Sequence, residues 1–166
     1  MVTSTFLKQA TLLTIGKGTI RFEQDDTATS DFINGLQAGM LAYEVHGKKA
    51  RLYDTDLILI IVARQNARLD SPPFHAGFVV GNISSLVQKG VYQTTNRSFC
   101  EGYREGIEAY CMLGRRHMFT LSELCSLTSW KHQDQNSAFN AGYVTGFIHS
   151  LTAGIHAALT FVKGAR

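Results

Sequence analysis

An aromatic residue followed by glycine three and seven positions later recurs at four places: Phe32/Gly35/Gly39, Phe74/Gly77/Gly81, Phe99/Gly102/Gly106 and Phe139/Gly142/Gly146. Residues four apart lie on one helix face, so each frame predicts a helix carrying a smooth glycine strip, extended by Ala42, Ser84, Ala109 or Ser150. Phe78, Tyr103, Tyr143 and Phe147, with Leu36, Met40 and Ile107, flank the strips and are expected to fill the core. A glycine inside a helix costs about 1 kcal/mol relative to alanine, so the eight in these frames give up roughly 8 kcal/mol. That is as much as the net stability of a whole domain. Backbones that approach closely along the strips, as small-xxx-small helices do in membranes, offset the loss through dispersion and Cα–H···O contacts.

Taken in order, residues 11–24 alternate apolar and polar side chains around Gly16-Lys17-Gly18 and predict a hairpin, with Thr19 to Glu23 composed like an edge strand. Asp25 to Ser30 is a polar link, with Ser30 or Asp31 as N-cap of a helix over about 32–47 that Gly47 closes. From Asp54 a segment through Leu57-Ile-Leu-Ile-Ile-Val-Ala63 fits a helix or a buried strand. Ser71-Pro72-Pro73 opens a helix over about 74–89. Ser98 with Glu101, and Thr120 with Glu123, have capping-box spacing ahead of helices from Phe99 to Gly114 and from Leu121 to about Trp130. The last helix runs from Phe139 to about Lys163, with Gly154 its weak point.

Phe32 and Phe99 are 67 residues apart, Tyr53 and Phe119 are 66 apart, and Phe74 and Phe139 are 65 apart. The expected fold is therefore mainly α: about six helices in two pseudo-symmetric halves from an internal duplication, with a short N-terminal β-hairpin. The segments are 1–26 for the hairpin, 27–92 for the first helical half and 93–166 for the second, within one domain, which suits a chain of 166 residues. The second half favours the helical alternative for residues 57–63, since they match Thr120-Leu-Ser-Glu123 and its helix in order and spacing.

Composition narrows the function classes. Only 17 % of residues are charged, and the net charge of +3 lies wholly in the second half. This is a mild bias toward acidic partners, far from the dense basic stripe of a dedicated nucleic-acid binder. Cys100, Cys111 and Cys125 are odd in number with no C-x-x-C, which points away from a disulfide framework or zinc knuckle and toward a reducing compartment. There is no signal-peptide pattern at Met1 to Lys8, and no apolar run nears the roughly 20 residues of a membrane span, so a cytoplasmic location is expected.

No phosphate loop, nucleophile elbow, H-E-x-x-H or EF-hand pattern occurs. His149 and His156 could share a helix face, but no further ligand stands at metal spacing; Asp54-x-Asp56 reads as helix-start chemistry. Cys100 and Cys111 fall on a similar face of one helix and are expected to act as small hydrophobes. No catalytic residue, cofactor or metal is therefore assigned. The basic clusters Lys48-Lys49-x-Arg51 and Arg115-Arg116 follow Gly47 and Gly114 at equivalent points of the two halves. There they complement helix macrodipoles, and they also suit an acidic protein surface or a nucleic-acid backbone.

The phrase Gly102-Tyr-Arg-Glu-Gly-Ile-Glu-Ala resembles the helices of ribosome modulation factors; the likeness does not extend to the rest of the chain. The expected function is a non-enzymatic interaction module, an adaptor or inhibitor of a larger assembly such as phages and plasmids encode, with an acidic protein partner and self-association open. A nucleic-acid- or ribosome-associated binder is the alternative. A small-molecule site between the glycine strips would need Tyr43, Tyr110, His75 and His149 to converge.

Overall fold

Glycine decides how the helices meet. In the computed structural model, which describes residues 11–16, 18–22, 26–47, 71–89, 96–113, 118–129 and 137–164, α1 (Asp26–Ala42) packs on α2 (Pro72–Lys89) and α3 (Arg97–Leu113) packs on α5 (Ser137–Ala153). A methyl group added to Gly35 or Gly39 would overlap the carbonyl oxygens of Phe74 and Phe78, and one on Gly77 or Gly81 those of Phe32 and Leu36. In the other pair Gly102 and Gly106 face the carbonyls of Phe139 and Tyr143, while Gly142 and Gly146 face those of Phe99 and Tyr103. Partner numbers rise together along both pairs, so each is a parallel pair in glycine-to-carbonyl register. Parallel neighbours need a long connection, and α4 (Leu121–Ser129) lies within the one joining α3 to α5.

The inner helices are α2 and α5, which touch each other and are buried on almost every side. That is why neither shows a clear apolar stripe in sequence. The hydroxyls this places inside α5 are satisfied locally: Thr145, Ser150 and Thr152 donate to the carbonyls of Ala141, Gly146 and Ile148 at 2.6–2.8 Å. The outer helix α1 and its final turn bury a single stripe, Phe32/Gly35/Gly39/Tyr43, and α3 buries the matching Phe99/Gly102/Gly106/Tyr110 widened by Cys100, Tyr103 and Ile107. One core cluster runs through both halves, from Phe32, Val79 and Ile83 to Phe119, Val144 and Ile148, and α4 packs on α2 of the other half.

The expected hairpin forms from β1 (Thr11–Ile15) and β2 (Gly18–Phe22), antiparallel and in unbroken register. Gly16 turns it at φ 59°, and a side chain there would meet the carbonyl of Thr152, so the turn rests against the end of α5. Strand β2 is not an edge as its composition suggested: β3 (Phe119–Thr120) joins it in parallel through Ile20 and Arg21. Burial of the Phe119 ring draws this strand to the sheet.

Several helix ends differ from expectation. Helix α1 starts at Asp26, so Asp31 lies inside it and accepts a 2.9 Å hydrogen bond from the hydroxyl of Ser71, just ahead of α2. It closes in a π-helical turn, Tyr43–Gly47. Asn96, not Ser98, caps α3: its Oδ1 accepts from Phe99 N–H at 3.1 Å, and Glu101 pairs with Arg97 on the surface. The Thr120/Glu123 capping box forms in both directions, at 3.2 and 3.3 Å, and Ser71 caps α2 through Phe74 N–H at 3.4 Å. The final helix breaks at Gly154, φ 96°, into α5 and α6 (Ile155–Gly164).

Candidate functional site

The five basic residues singled out from the sequence, Lys48, Lys49, Arg51, Arg115 and Arg116, lie outside the described residues, as do Asp54, Asp56 and the 57–63 segment. The helix ends that lead into the basic clusters are described, and both expose apolar side chains. On α1 and its π-turn these are Met40, Leu41 and Val45, with Leu41 64 % exposed. At the end of α3 they are Met112, 88 % exposed, and Leu113, followed by Met118 ahead of β3. Met40 therefore does not join the core. Cys111 is likewise exposed while Cys100 is buried, because the last turn of α3 extends past the packed stripe.

The seam between the glycine strips is closed. Where a methyl group would overlap the opposite backbone there is no space for a ligand, and Tyr43, Tyr110, His75 and His149 are each buried. Instead, Tyr103 of α3 hydrogen-bonds across the second seam to Nδ1 of His149 on α5. Burial holds the His149 pKa down at about 4, so its ring is neutral, with one ring nitrogen a donor and the other an acceptor. The break at Gly154 places His156 on the exposed side of a different helix, so the two histidines share no face.

His75 is 2 % exposed and donates through Nε2–H to the Thr128 carbonyl at 3.0 Å. Burial lowers its pKa, partly opposed by that hydrogen bond. Its Nδ1 and the Oδ1 of Asn140 are buried without hydrogen-bond partners. The two residues hold matching positions, directly after Phe74 and Phe139. Burial pushes the Cys125 thiol up, and burial likewise dominates at Cys100, where Arg104 pulls the other way and Glu101 adds to the rise. Neither is an activated thiolate.

Described residues also line two surface clefts. One of about 420 Å³ lies between Arg21, the start of α2 at Pro72 and Pro73, and the start of α4 with Cys125. The other, about 370 Å³, lies at the α5/α6 elbow beside Tyr110 and His156. Among the described residues no group of three or more His, Cys, Asp or Glu could hold a metal ion, and no helix is long and apolar enough to cross a membrane. No protein-family model matches the chain, and neither curated proteins nor solved structures give a match to it.

The exposed apolar ends are what sequence reasoning missed. Glycine spacing placed Met40 beside the strip, but only the length over which two helices stay in contact shows which terminal turns lose cover.

Proposed function

We propose that this chain is a non-enzymatic protein-interaction module, an adaptor or inhibitor that docks on an acidic, partly apolar surface of a larger assembly. The observation that carries this reading is the coincidence, at the C-terminal ends of both outer helices, of exposed apolar side chains with a basic cluster a few residues further along the chain. Apolar contact supplies affinity at such a surface, and the flanking charges supply orientation and association rate. The halves would offer two related contacts, which favours a partner with repeated or extended acidic features.

The test is recovery of bound material on the full-length protein from its native host, with and without nuclease. One stoichiometric protein that survives nuclease, and is lost with the Lys48→Glu/Arg115→Glu double variant, is the expected result. Retention by the double variant removes the basic clusters from the site. Loss of all bound material on nuclease treatment would replace this reading with the nucleic-acid one.

A further inference from the structure

Strand β1 has an outer edge that no described strand occupies, and the register of the hairpin fixes which of its groups face outward. With Ile15 opposite Gly18 across a two-residue loop, Ile15, Leu13 and Thr11 are the residues that exchange hydrogen bonds with β2. The N–H and C=O groups of Leu12 and Thr14 therefore point to the open side. Natural sheets guard such an edge with charge, proline, a bulge or a very short strand. Thr11-Leu12-Leu13-Thr14-Ile15 has five residues, no charge, no proline and no break in register.

The geometry points to a second copy of this chain as the occupant, through antiparallel β1–β1 pairing about a two-fold axis at Leu13. The spacing is self-complementary. With Leu13 opposite its own counterpart, each outward-facing Leu12 meets an outward-facing Thr14 and the two exchange both hydrogen bonds, giving four across the junction. Leu13 then occupies the non-hydrogen-bonded position, where opposing side chains come closest. Its side chain is half-buried at the margin of the core, so the pairing completes its burial. The neutral strand brings no like charges together, and on the opposite face Thr14 is exposed and polar. The result is a continuous six-stranded sheet, three strands from each copy. This interface is separate from the helix ends of the proposed partner site.

Sedimentation velocity of the full chain between about 10 µM and 1 mM tests the pairing over the range expected for a junction of a few hydrogen bonds. The wild type should show a concentration-dependent dimer, with Leu12 and Thr14 amide exchange slowing as protein concentration rises. Thr14→Pro should weaken the dimer at least tenfold while helical circular dichroism is retained, because the N–H it removes makes no bond to β2. Should that variant fail to fold, Thr14→Lys at the same exposed position should weaken the dimer in a salt-dependent way. A wild type that stays monomeric throughout overturns the proposal. So does a Thr14→Lys dimer as tight as wild type, or concentration-independent protection of Leu12 and Thr14, which would mean the edge is covered within one chain.

Discussion

The two glycine pairs share a backbone arrangement and differ in what fills it. Each glycine of α1/α2 meets a carbonyl whose counterpart meets the matching glycine in α3/α5, and each outer helix buries a tyrosine past its second glycine, Tyr43 or Tyr110. Beside that common frame, the second pair carries the Tyr103–His149 hydrogen bond where the first has Leu36 and Ser84. Where the second has Phe147 in an aromatic cluster with Tyr110 and Phe119, the first has Asn82 donating to the Gly39 carbonyl at 3.4 Å. Backbone complementarity is thus the shared requirement. Side chains around it vary between polar and apolar, and the polar ones are mostly but not wholly matched, since His75 Nδ1 and Asn140 Oδ1 are buried without partners.

The largest effect should come from closing the seam. Gly77→Ala and Gly142→Ala occupy equivalent positions and gain about 1 kcal/mol of helix propensity each. Each also drives a methyl group into a carbonyl oxygen, of Phe32 or Phe99, that can retreat only if the whole helix moves. Overpacking against backbone should win, with a net loss of about 3 kcal/mol at either site by denaturant unfolding. Similar losses at both would confirm equivalent seams. A stabilised variant at one site would show that pair to be loose.

Acid should come next, acting on a buried histidine in each pair. His149 has a folded pKa of about 4, below the ordinary histidine value of 6.5. Between these values the unfolded chain binds a proton that the folded chain excludes, so stability is full above about pH 6.5 and falls as pH drops toward 4. The loss from this one group is about 3 kcal/mol. His75, lowered by burial against the raising influence of its Thr128 hydrogen bond, acts in the same direction. Unfolding free energy measured between pH 7 and 4 should therefore decline, and His149→Phe should flatten the curve. An unchanged slope in that variant would assign the acid sensitivity elsewhere.

Much of this frame was legible in the sequence because glycine spacing reports a backbone constraint directly. The four helices, the hairpin turn and the Thr120/Glu123 cap followed from local chemistry. Strand β3 did not, since two residues drawn to the sheet by the buried Phe119 ring leave no periodic trace. The Asn96 cap competed with an equally plausible Ser98, and the choice depends on where the chain enters the helix. Burial of His75 and His149 and exposure of Met40, Leu41 and Met112 are consequences of which helices become inner and how far partners overlap. Those are tertiary facts. Of the candidate site, the basic clusters are a reading of the sequence that lies outside the described residues, and the apolar ends emerge only in the fold.

The smallest differences lie in the polar fillings. Tyr103→Phe deletes the hydroxyl that hydrogen-bonds Nδ1 of His149 in a fully buried position, and should cost about 1–2 kcal/mol. Asn82→Leu removes a long 3.4 Å bond to the Gly39 carbonyl and replaces an amide with an apolar group where the second pair already uses Phe147. Desolvation of the amide is relieved as the bond is lost, so the net change should stay within about 1 kcal/mol. Measured together by chemical denaturation, these variants separate two accounts of the seams. If Asn82→Leu is the milder, the polar group in the first pair is tolerated, not required, and stability there rests on the backbone contact. If it costs as much as Tyr103→Phe, the amide fixes the register of α1 on α2, and the two pairs reach the same geometry by different side-chain locks.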